Sequence, residues 1–313
     1  MKSRQLKVVF VALAVLVLSY VAVQLLSGNG RGSGGEGIAA SVRGEFSVVR
    51  VLTPNAADSV RLEGADGYWT VNGYPADSAL VRELAEGLVT ARVGRLVARS
   101  ASNHARLGVS EDSARRIEIG PVGDPEAMFL LGRGGTDGRF IRFPPSDDVF
   151  TVQAASVRLL GRSAEDWRDR VVAAVDTSIV SRIVVRRNDQ PAPTLLERIA
   201  GDAAASWSLE GEAADSATVE ALLQESAQLT ATGFPSDSVV FAVDFDSPVA
   251  VLEMFASDEP GAAPALSLLF LTAPDAPEFL VRRADNALAY RISAVQAEWL
   301  LPTRAMLLPE ANE

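Results

Sequence analysis

Hydrophobic and polar positions follow the same order twice along the chain. Residues 69–84, WTVNGYPADSALVREL, return as residues 207–222, WSLEGEAADSATVEAL. In each copy a tryptophan stands in a short extended segment, a turn with glycine follows, and Ala-Asp-Ser precedes apolar residues at helical spacing. Asp77 and Asp215 lie where a helix N-cap is expected, because a carboxylate accepts hydrogen bonds from the free amides of a first turn. Both tryptophans are predicted to pack behind these helices, with ligand stacking as the alternative.

Strand-like runs follow each helix. In the first copy they are RRIEIG (115–120), AMFLLG (127–132) and RFIRF (139–143), and in the second SVVFAVDF (238–245), VAVLEMF (249–255), ALSLLFL (265–271) and EFLVRR (278–283). Each copy then closes with an extended segment that leads into a helix, at residues 149–160 and 289–301. Consecutive strands without helical crossovers favour an α+β fold with antiparallel sheets.

The spacing between matching residues indicates an internal duplication. Trp69 and Trp207 stand 138 residues apart, and Leu160 and Leu300 stand 140 apart, so the offset drifts by only two residues. Short insertions in loops account for that drift. The sequence therefore predicts two similar α+β lobes, each with a hairpin, a helix, a meander and a terminal helix.

The chain is expected to divide into five parts. They are a cytoplasmic tip with a transmembrane anchor (1–26), a Gly/Ser-rich tether (27–45), a first α+β repeat (46–176), a second α+β repeat (177–305) and a tail (306–313). The mixed charges of SAEDWRDRVV (163–172), near the junction of the repeats, predict a solvated helix end or a hinge.

Residues 8–26, VVFVALAVLVLSYVAVQLL, form an apolar run without a charge. As a helix with a rise of about 1.5 Å per residue, this run is about as long as the hydrocarbon core of a bilayer is thick. It is long for the apolar region of a cleavable signal peptide, and no A-x-A site follows it. Lys2, Arg4 and Lys7 precede the run, which keeps the N-terminus in the cytoplasm by the positive-inside rule. We therefore predict a single-pass inner-membrane protein whose body is periplasmic.

Composition and charge narrow the classes of function. With 48% hydrophobic and 22% charged residues, the 313-residue chain is typical of globular proteins and can bury two cores. From Ser27 onward there are 26 basic and 40 acidic side chains, a net charge of −14, which disfavours nucleic acid as a partner. The absence of cysteine excludes disulfides, thiolate metal sites and a cysteine nucleophile.

Candidate chemistry is sparse. His104 is the one histidine, so any Ser–His–Asp triad would need it, and we expect it to be exposed or to cap a helix. Asp244 and Asp246 share one face of the predicted strand, but adjacent carboxylates at a strand end are usually solvated. GRGSGG (30–35) matches G-x-G-x-x-G without the strand and helix that a dinucleotide site needs, and LGRGGTDGRF (131–140) reads as a hairpin turn at Asp137-Gly138. No catalytic, cofactor-binding or metal residue is assigned.

Three quoted features carry a family resemblance. The tryptophan–turn–Ala-Asp–helix unit, SNHARLGVSEDSARRIEIG (102–120) and Trp-Arg-Asp-Arg (167–170) resemble the bacterial domain-of-unknown-function family 4340. The resemblance covers nearly all of the chain beyond residue 45. It implies a membrane anchor and genes that neighbour those of ABC-2-type transporters of the gliding-motility auxiliary kind. It implies no activity and no catalytic residues.

Three classes of function remain open. The first, which we favour, is a non-catalytic, membrane-anchored extracytoplasmic interaction module with protein partners, among them subunits of an ABC-2-type transporter. The second is a two-lobed small-ligand binder or scaffold, and the third is an envelope hydrolase. The first and the second cannot be separated on sequence.

Overall fold

A computed structural model describes residues 37–39, 42, 46–135, 138–199, 206–259, 261–274 and 277–309. The chain divides into two compact units, Met1–Asp169 and Arg170–Glu313. Each unit contains a large antiparallel sheet with helices, so the predicted α+β class is confirmed.

The first unit is built on a nine-stranded sheet with the order β4-β3-β2-β1-β6-β7-β8-β9-β5. Its elements are β1 (Val48–Leu52), β2 (Val60–Ala65), β3 (Tyr68–Val71), β4 (Tyr74–Pro75), α1 (Ser78–Thr90), β5 (Val93–Ala98), α2 (His104–Leu107), β6 (Arg115–Ile119), β7 (Ala127–Gly135), β8 (Gly138–Arg142), β9 (Val149–Val152) and α3 (Ala155–Leu159). Three single turns of 3-10 helix lie at Ala56–Asp58, Ala101–Asn103 and Glu165–Trp167.

The second unit is built on an eight-stranded sheet with the order β14-β13-β12-β11-β16-β17-β18-β19, beside a separate β10-β15 pair. Its elements are β10 (Val171–Ala174), β11 (Arg182–Arg187), β12 (Thr194–Arg198), β13 (Trp207–Leu209), β14 (Glu212–Ala213), α4 (Ser216–Ala227), β15 (Gln228–Thr230), α5 (Asp237–Ala242), β16 (Ala250–Phe255), β17 (Leu266–Thr272), β18 (Phe279–Arg283), β19 (Ala289–Ile292) and α6 (Ala294–Leu300). The sequence analysis placed the boundary after residue 176. The division lies earlier because β10 pairs with β15 of the second unit.

Eight strands of the first sheet share their order and register with the second sheet, and β5 of the first sheet has no counterpart there. Strands β1–β4 match β11–β14, and β6–β9 match β16–β19. Val49 lies opposite Leu62 in the first sheet, and Ile183 lies opposite Leu196 at the same place in the second. This register defines equivalent positions in the two units residue by residue.

The predicted N-caps are confirmed in both units. The Asp77 carboxylate accepts hydrogen bonds from the Ala79 and Leu80 amides at 2.9 and 3.1 Å, at the start of α1. The Asp215 carboxylate accepts from the Thr218 amide at 2.8 Å, at the start of α4. These bonds satisfy first-turn amides that would otherwise lack a partner.

The segment that follows each terminal helix returns to the capping aspartate. The Asp77 amide donates to the Trp167 carbonyl at 2.9 Å, and the Asp215 amide donates to the Leu307 carbonyl at 2.8 Å. Trp167 and Leu307 are both fully buried. The segment 163–172 was predicted to be a solvated helix end or a hinge. It contains a 3-10 turn in which Glu165 and Asp166 are exposed, but it also places the Trp167 ring in the core of the first unit, which the prediction did not include.

Each sheet carries helices on both faces. Val81, Leu84 and Leu88 of α1 are buried on the face that α3 also covers. The short helix α2 packs on the other face, where Leu107 contacts Val149. In the second unit α4 and α6 cover one face, and α5 lies on the other. The grooves between helices on one face are the places where a surface site can form.

The strand predicted at 238–245 is a helix instead. Asp237–Ala242 forms α5, whose Val239 is buried against Leu271 and Leu280 on the outward face of the sheet. Short apolar runs do not distinguish a strand from a single helical turn, and here a Ser-Asp start favours the helix.

The predicted anchor at 8–26 and most of the predicted tether at 27–45 lie outside the described residues. None of the helices that the structure describes is both long enough and apolar enough to cross a membrane.

Candidate binding groove

The first unit carries an open groove of about 660 Å³ between the C-terminal half of α1 and the start of α3. Its lining residues are Glu83, Glu86, Gly87, Thr90, Ala91, Arg92, Gln153, Ala154, Ala155 and Ser156. We call this feature the α1–α3 groove. It lies on the face of the sheet that α1 and α3 cover, so the hydrophobic core beneath it supports its floor.

Two small residues set the width of the groove. A Cβ atom on Gly87 would lie 2.5 Å from the Cβ atom of Ser156, which is closer than two carbon atoms can approach. Glycine therefore lets α1 and α3 touch at this point. The Ser156 side chain is buried, and its hydroxyl has no hydrogen-bond partner among the described residues. A buried polar group without a partner is uncommon, and a bound group could supply one.

The charge of the groove is acidic. Glu83 and Glu86 are exposed along its α1 side. The Arg92 guanidinium is already engaged, because it donates to the Val89 and Thr90 carbonyls, both at 3.0 Å, at the C-terminal end of α1. A cation in this place complements the negative end of the helix dipole. Two carboxylates and one guanidinium that is bonded to helix carbonyls give the lining of the groove a net charge of −1.

The first described residues of the chain lie beside this groove. Gly37 forms a β-bridge with Arg92, and the Ile38 amide donates to the Ala91 carbonyl at 3.1 Å. Ile38 and Ala39 are both buried in the core of the first unit. Whatever precedes Gly37 along the chain therefore begins next to the groove.

The equivalent place in the second unit is built differently. Counting from the paired caps and terminal helices, Glu225 stands for Gly87 and Gln296 stands for Ser156. The Gln296 amide donates to the Glu225 carboxylate at 3.0 Å. Two long polar side chains satisfy each other here, where the first unit has two small residues in contact. The two units therefore differ at this place in the side chains that lie between the paired helices.

The residues that the sequence analysis singled out do not line the groove. Of the two expectations for His104, exposure is wrong because the side chain is buried, but the residue is the C-cap of the 3-10 turn Ala101–Asn103. Its Nε2 lies 2.9 Å from the carbonyl oxygen of Asp147. Asp244 and Asp246 lie in an exposed turn after α5, where the Asp246 amide donates to the Asp244 carboxylate. Within the described ranges, no group of three or more His, Cys, Asp or Glu side chains could hold a metal ion.

Of the two glycine-rich segments discussed from the sequence, the structure describes most of 131–140 and none of 30–35. β7 and β8 form a hairpin in which Gly135 lies opposite Gly138, as the sequence predicts, although Asp137 lies outside the described residues. Residues 30–35 also lie outside them.

Gly87 and Ser156 were not predicted as residues of a site. A signal was present, because Gly87 is a glycine in mid-helix whose partner in the aligned copy is a glutamate.

The fold and the groove define a two-unit α+β protein with an acidic surface groove beside the first residues of its folded body. The family model described as domain of unknown function (DUF4340) matches residues 69–248, which is more than half of the chain, so the chain belongs to this family. The resemblance inferred from the sequence is therefore confirmed. No curated protein and no solved structure matches the chain significantly.

Proposed function

We propose that the protein is a non-catalytic interaction module, anchored in the inner membrane by residues 8–26, whose periplasmic body binds a protein partner. The observation that carries the proposal is the position of the α1–α3 groove beside Gly37, Ile38 and Ala39. Residues 27–36 can span no more than about 35 Å even when fully extended. A body held by them keeps the groove within reach of other membrane proteins.

The chemistry of the groove supports a basic segment of the partner. Glu83 and Glu86 offer two carboxylates against the one guanidinium of Arg92, which is bonded to carbonyls at the end of α1. The Ser156 hydroxyl, which has no partner among the described residues, offers one further polar contact. Complementary charge contributes to the rate and the specificity of association. Confinement to the membrane raises the effective concentration of partners toward the millimolar range, so a small contact area is sufficient.

The partner is proposed to be a subunit of an ABC-2-type transporter. This part rests on the family, whose resemblance implies a gene neighbourhood of that kind. The matched strand order of the two sheets further supports the proposal that the units arose by internal duplication.

Co-purification from native membranes tests the proposal. The full-length chain, extracted in mild detergent, is expected to recover transporter subunits, as identified by mass spectrometry. Combined Glu83→Lys and Glu86→Lys substitutions should lower that recovery. A matched control carries Asp112→Lys and Asp124→Lys at two exposed positions outside the groove, with the same change of charge.

The outcomes separate cleanly. Loss of partners in the groove variant with retention in the control supports the proposal. Equal recovery from both variants would show that the groove does not bind the partner. Cytoplasmic activity of a reporter fused after residue 313 would contradict the proposed orientation in the membrane.

A further inference from the structure

Two arginines lie on the face of the first sheet that α1 and α3 cover, where core residues are expected. Arg115 of β6 precedes Ile117 by two positions, and Arg139 of β8 precedes Ile141 by two. Side chains alternate between the faces of a strand, so each arginine shares the face of its isoleucine. Both isoleucines belong to the hydrophobic core. We call Arg115 and Arg139 the arginine pair.

The register of the second unit shows which residues occupy the equivalent positions there. Arg115 lies opposite Leu131 as Ala250 lies opposite Phe270, so Ala250 is the equivalent of Arg115. The equivalent of Arg139 is Phe279, since each is the residue two before a matched core position on β8 and β18.

Both replacements are apolar. Ala250 is buried in the core of the second unit, and Phe279 packs against it. The first unit therefore places two charges where the second unit places hydrocarbon.

The two guanidinium groups lie close together. A Cβ atom built on Gly161 would be 3.6 Å from Nη1 of Arg115 and 4.0 Å from Nη1 of Arg139. Arg115 donates to the Leu160 carbonyl at 2.9 Å, just beyond the end of α3. The Arg139 side chain has no hydrogen bond or ion pair with any described residue. Burial, and then the charge of Arg115, lower the pKa of Arg139.

Like charges that are half-buried and close together destabilise a fold, and no carboxylate of the described residues forms an ion pair with either guanidinium group. An anion between them removes this repulsion and accepts charge-assisted hydrogen bonds from both guanidinium groups. A dianion balances two guanidinium charges, and a tetrahedral oxyanion offers oxygens to two separate donors.

We propose that the arginine pair is a binding site for a phosphate-type oxyanion. The site is separate from the α1–α3 groove, because neither arginine lines that groove. The phosphate could be a free or terminal group, or the diester of a phospholipid, and the chemistry of recognition is common to both.

Thermal unfolding of the full-length chain in mild detergent tests the site. Inorganic phosphate, titrated against chloride at constant ionic strength, should raise the Tm in a saturable way. Arg139→Phe, which copies the second unit, should raise the Tm without phosphate and abolish the response. Arg139→Gln should weaken phosphate binding by about tenfold or more, since a charged hydrogen-bonding partner is lost. Arg82→Gln, an exposed arginine on α1, is the control and should respond as the wild type does.

Dimethyl phosphate distinguishes the two sources of the ligand. A response to this diester assigns a lipid headgroup, and a response to inorganic phosphate alone assigns a free or terminal phosphate. An equal response to acetate would contradict the phosphate class. A response that never saturates, or one that persists in Arg139→Gln and Arg139→Phe, would show an adventitious ion only and would overturn the proposal.

Discussion

The two repeat tryptophans differ in how much of each ring is buried. Trp207 is only 4% exposed, with the Arg198 guanidinium 5.1 Å from the ring centre. Trp69 is half-buried and lies over Gly64, so one side of its ring meets solvent. Both contact the core of their own unit.

Trp207→Ala should therefore destabilise the protein more than Trp69→Ala. Removing a fully buried tryptophan costs about 3–5 kcal/mol because a cavity remains, and removing a half-buried ring costs less. Urea denaturation followed by circular dichroism measures the two free energies of unfolding. A larger loss for Trp69→Ala would show that its ring is not the more exposed one.

The Asp215 cap predicts a dependence of stability on pH. The backbone hydrogen bond from Thr218, and then the side-chain bond from the same residue, lower the pKa of Asp215 from the model-peptide value of 3.8. A carboxylate whose pKa is lower in the folded state stabilises the fold above its unfolded pKa. That contribution is lost as the pH falls through the folded pKa.

Asp215→Ser isolates this contribution, because serine also caps a helix but does not titrate. The wild type should exceed the variant in free energy of unfolding between about pH 5 and pH 7. The difference should shrink as the pH falls below about 3.8. Urea denaturation across this range gives the comparison, and a difference that stays constant with pH would contradict the role of the charged cap.

At the scale of single residues, local chemistry was predictable and distant burial was not. Asp77 and Asp215 were predicted as caps because the pattern that defines a cap spans only four residues. His104 was expected to be exposed or to cap a helix, and Trp167 lies in a segment that was expected to be solvated, yet both side chains are buried. The carbonyl that accepts from His104 belongs to Asp147, 43 residues away, and no local pattern encodes such a contact.

At the scale of elements, Gly87 is the position at which α1 and α3 touch. Gly87→Ala should destabilise the first unit, although alanine improves helix propensity by about 1 kcal/mol. The new Cβ atom would meet the Ser156 Cβ atom at 2.5 Å, and neither atom is at the end of a flexible chain. The exposed neighbour Glu86→Ala is the control and should change stability by no more than about 0.5 kcal/mol.

A double-mutant cycle identifies the contact. Adding Ser156→Gly removes the atom that the new Cβ atom meets, so the double variant should be more stable than the sum of the single effects predicts. We expect a coupling energy of about 0.5–3 kcal/mol between the two positions. Additive free energies of unfolding would show that the helices do not touch there.

Most elements followed from hydrophobic period, and the exception has a physical cause. The strands at 115–120, 127–132 and 249–255 were recognised as short strand-like runs that follow one another without a helical crossover. The run at 238–245 was predicted as a strand, but Asp237–Ala242 forms α5. One helical turn and one short strand bury similar numbers of apolar residues, so the pattern alone did not distinguish them. The α1–α3 groove depends on how closely two helices approach. The sequence carried one sign of this close approach, a glycine at position 87 where the second copy has Glu225, and that sign was missed.

At the scale of the whole molecule, the repetition in the sequence predicted the organisation in two units. An offset that drifts by only two residues predicted two similar lobes, and eight strands of the first sheet share their order with the second sheet. The boundary could not be read as directly, because β10 is assigned by its pairing with β15, more than fifty residues later. The membrane anchor at 8–26 stays a prediction from charge and apolar length.

Site-specific photo-crosslinking in native membranes tests the central claim most directly. A photoreactive residue at exposed Gln153 lies in the groove, and one at exposed Val122, in a turn of the same unit, is the control. If the groove binds a membrane partner, position 153 should give a discrete adduct with a transporter subunit, and position 122 should not. Absence of an adduct at 153, or equal adducts at both positions, would contradict the account.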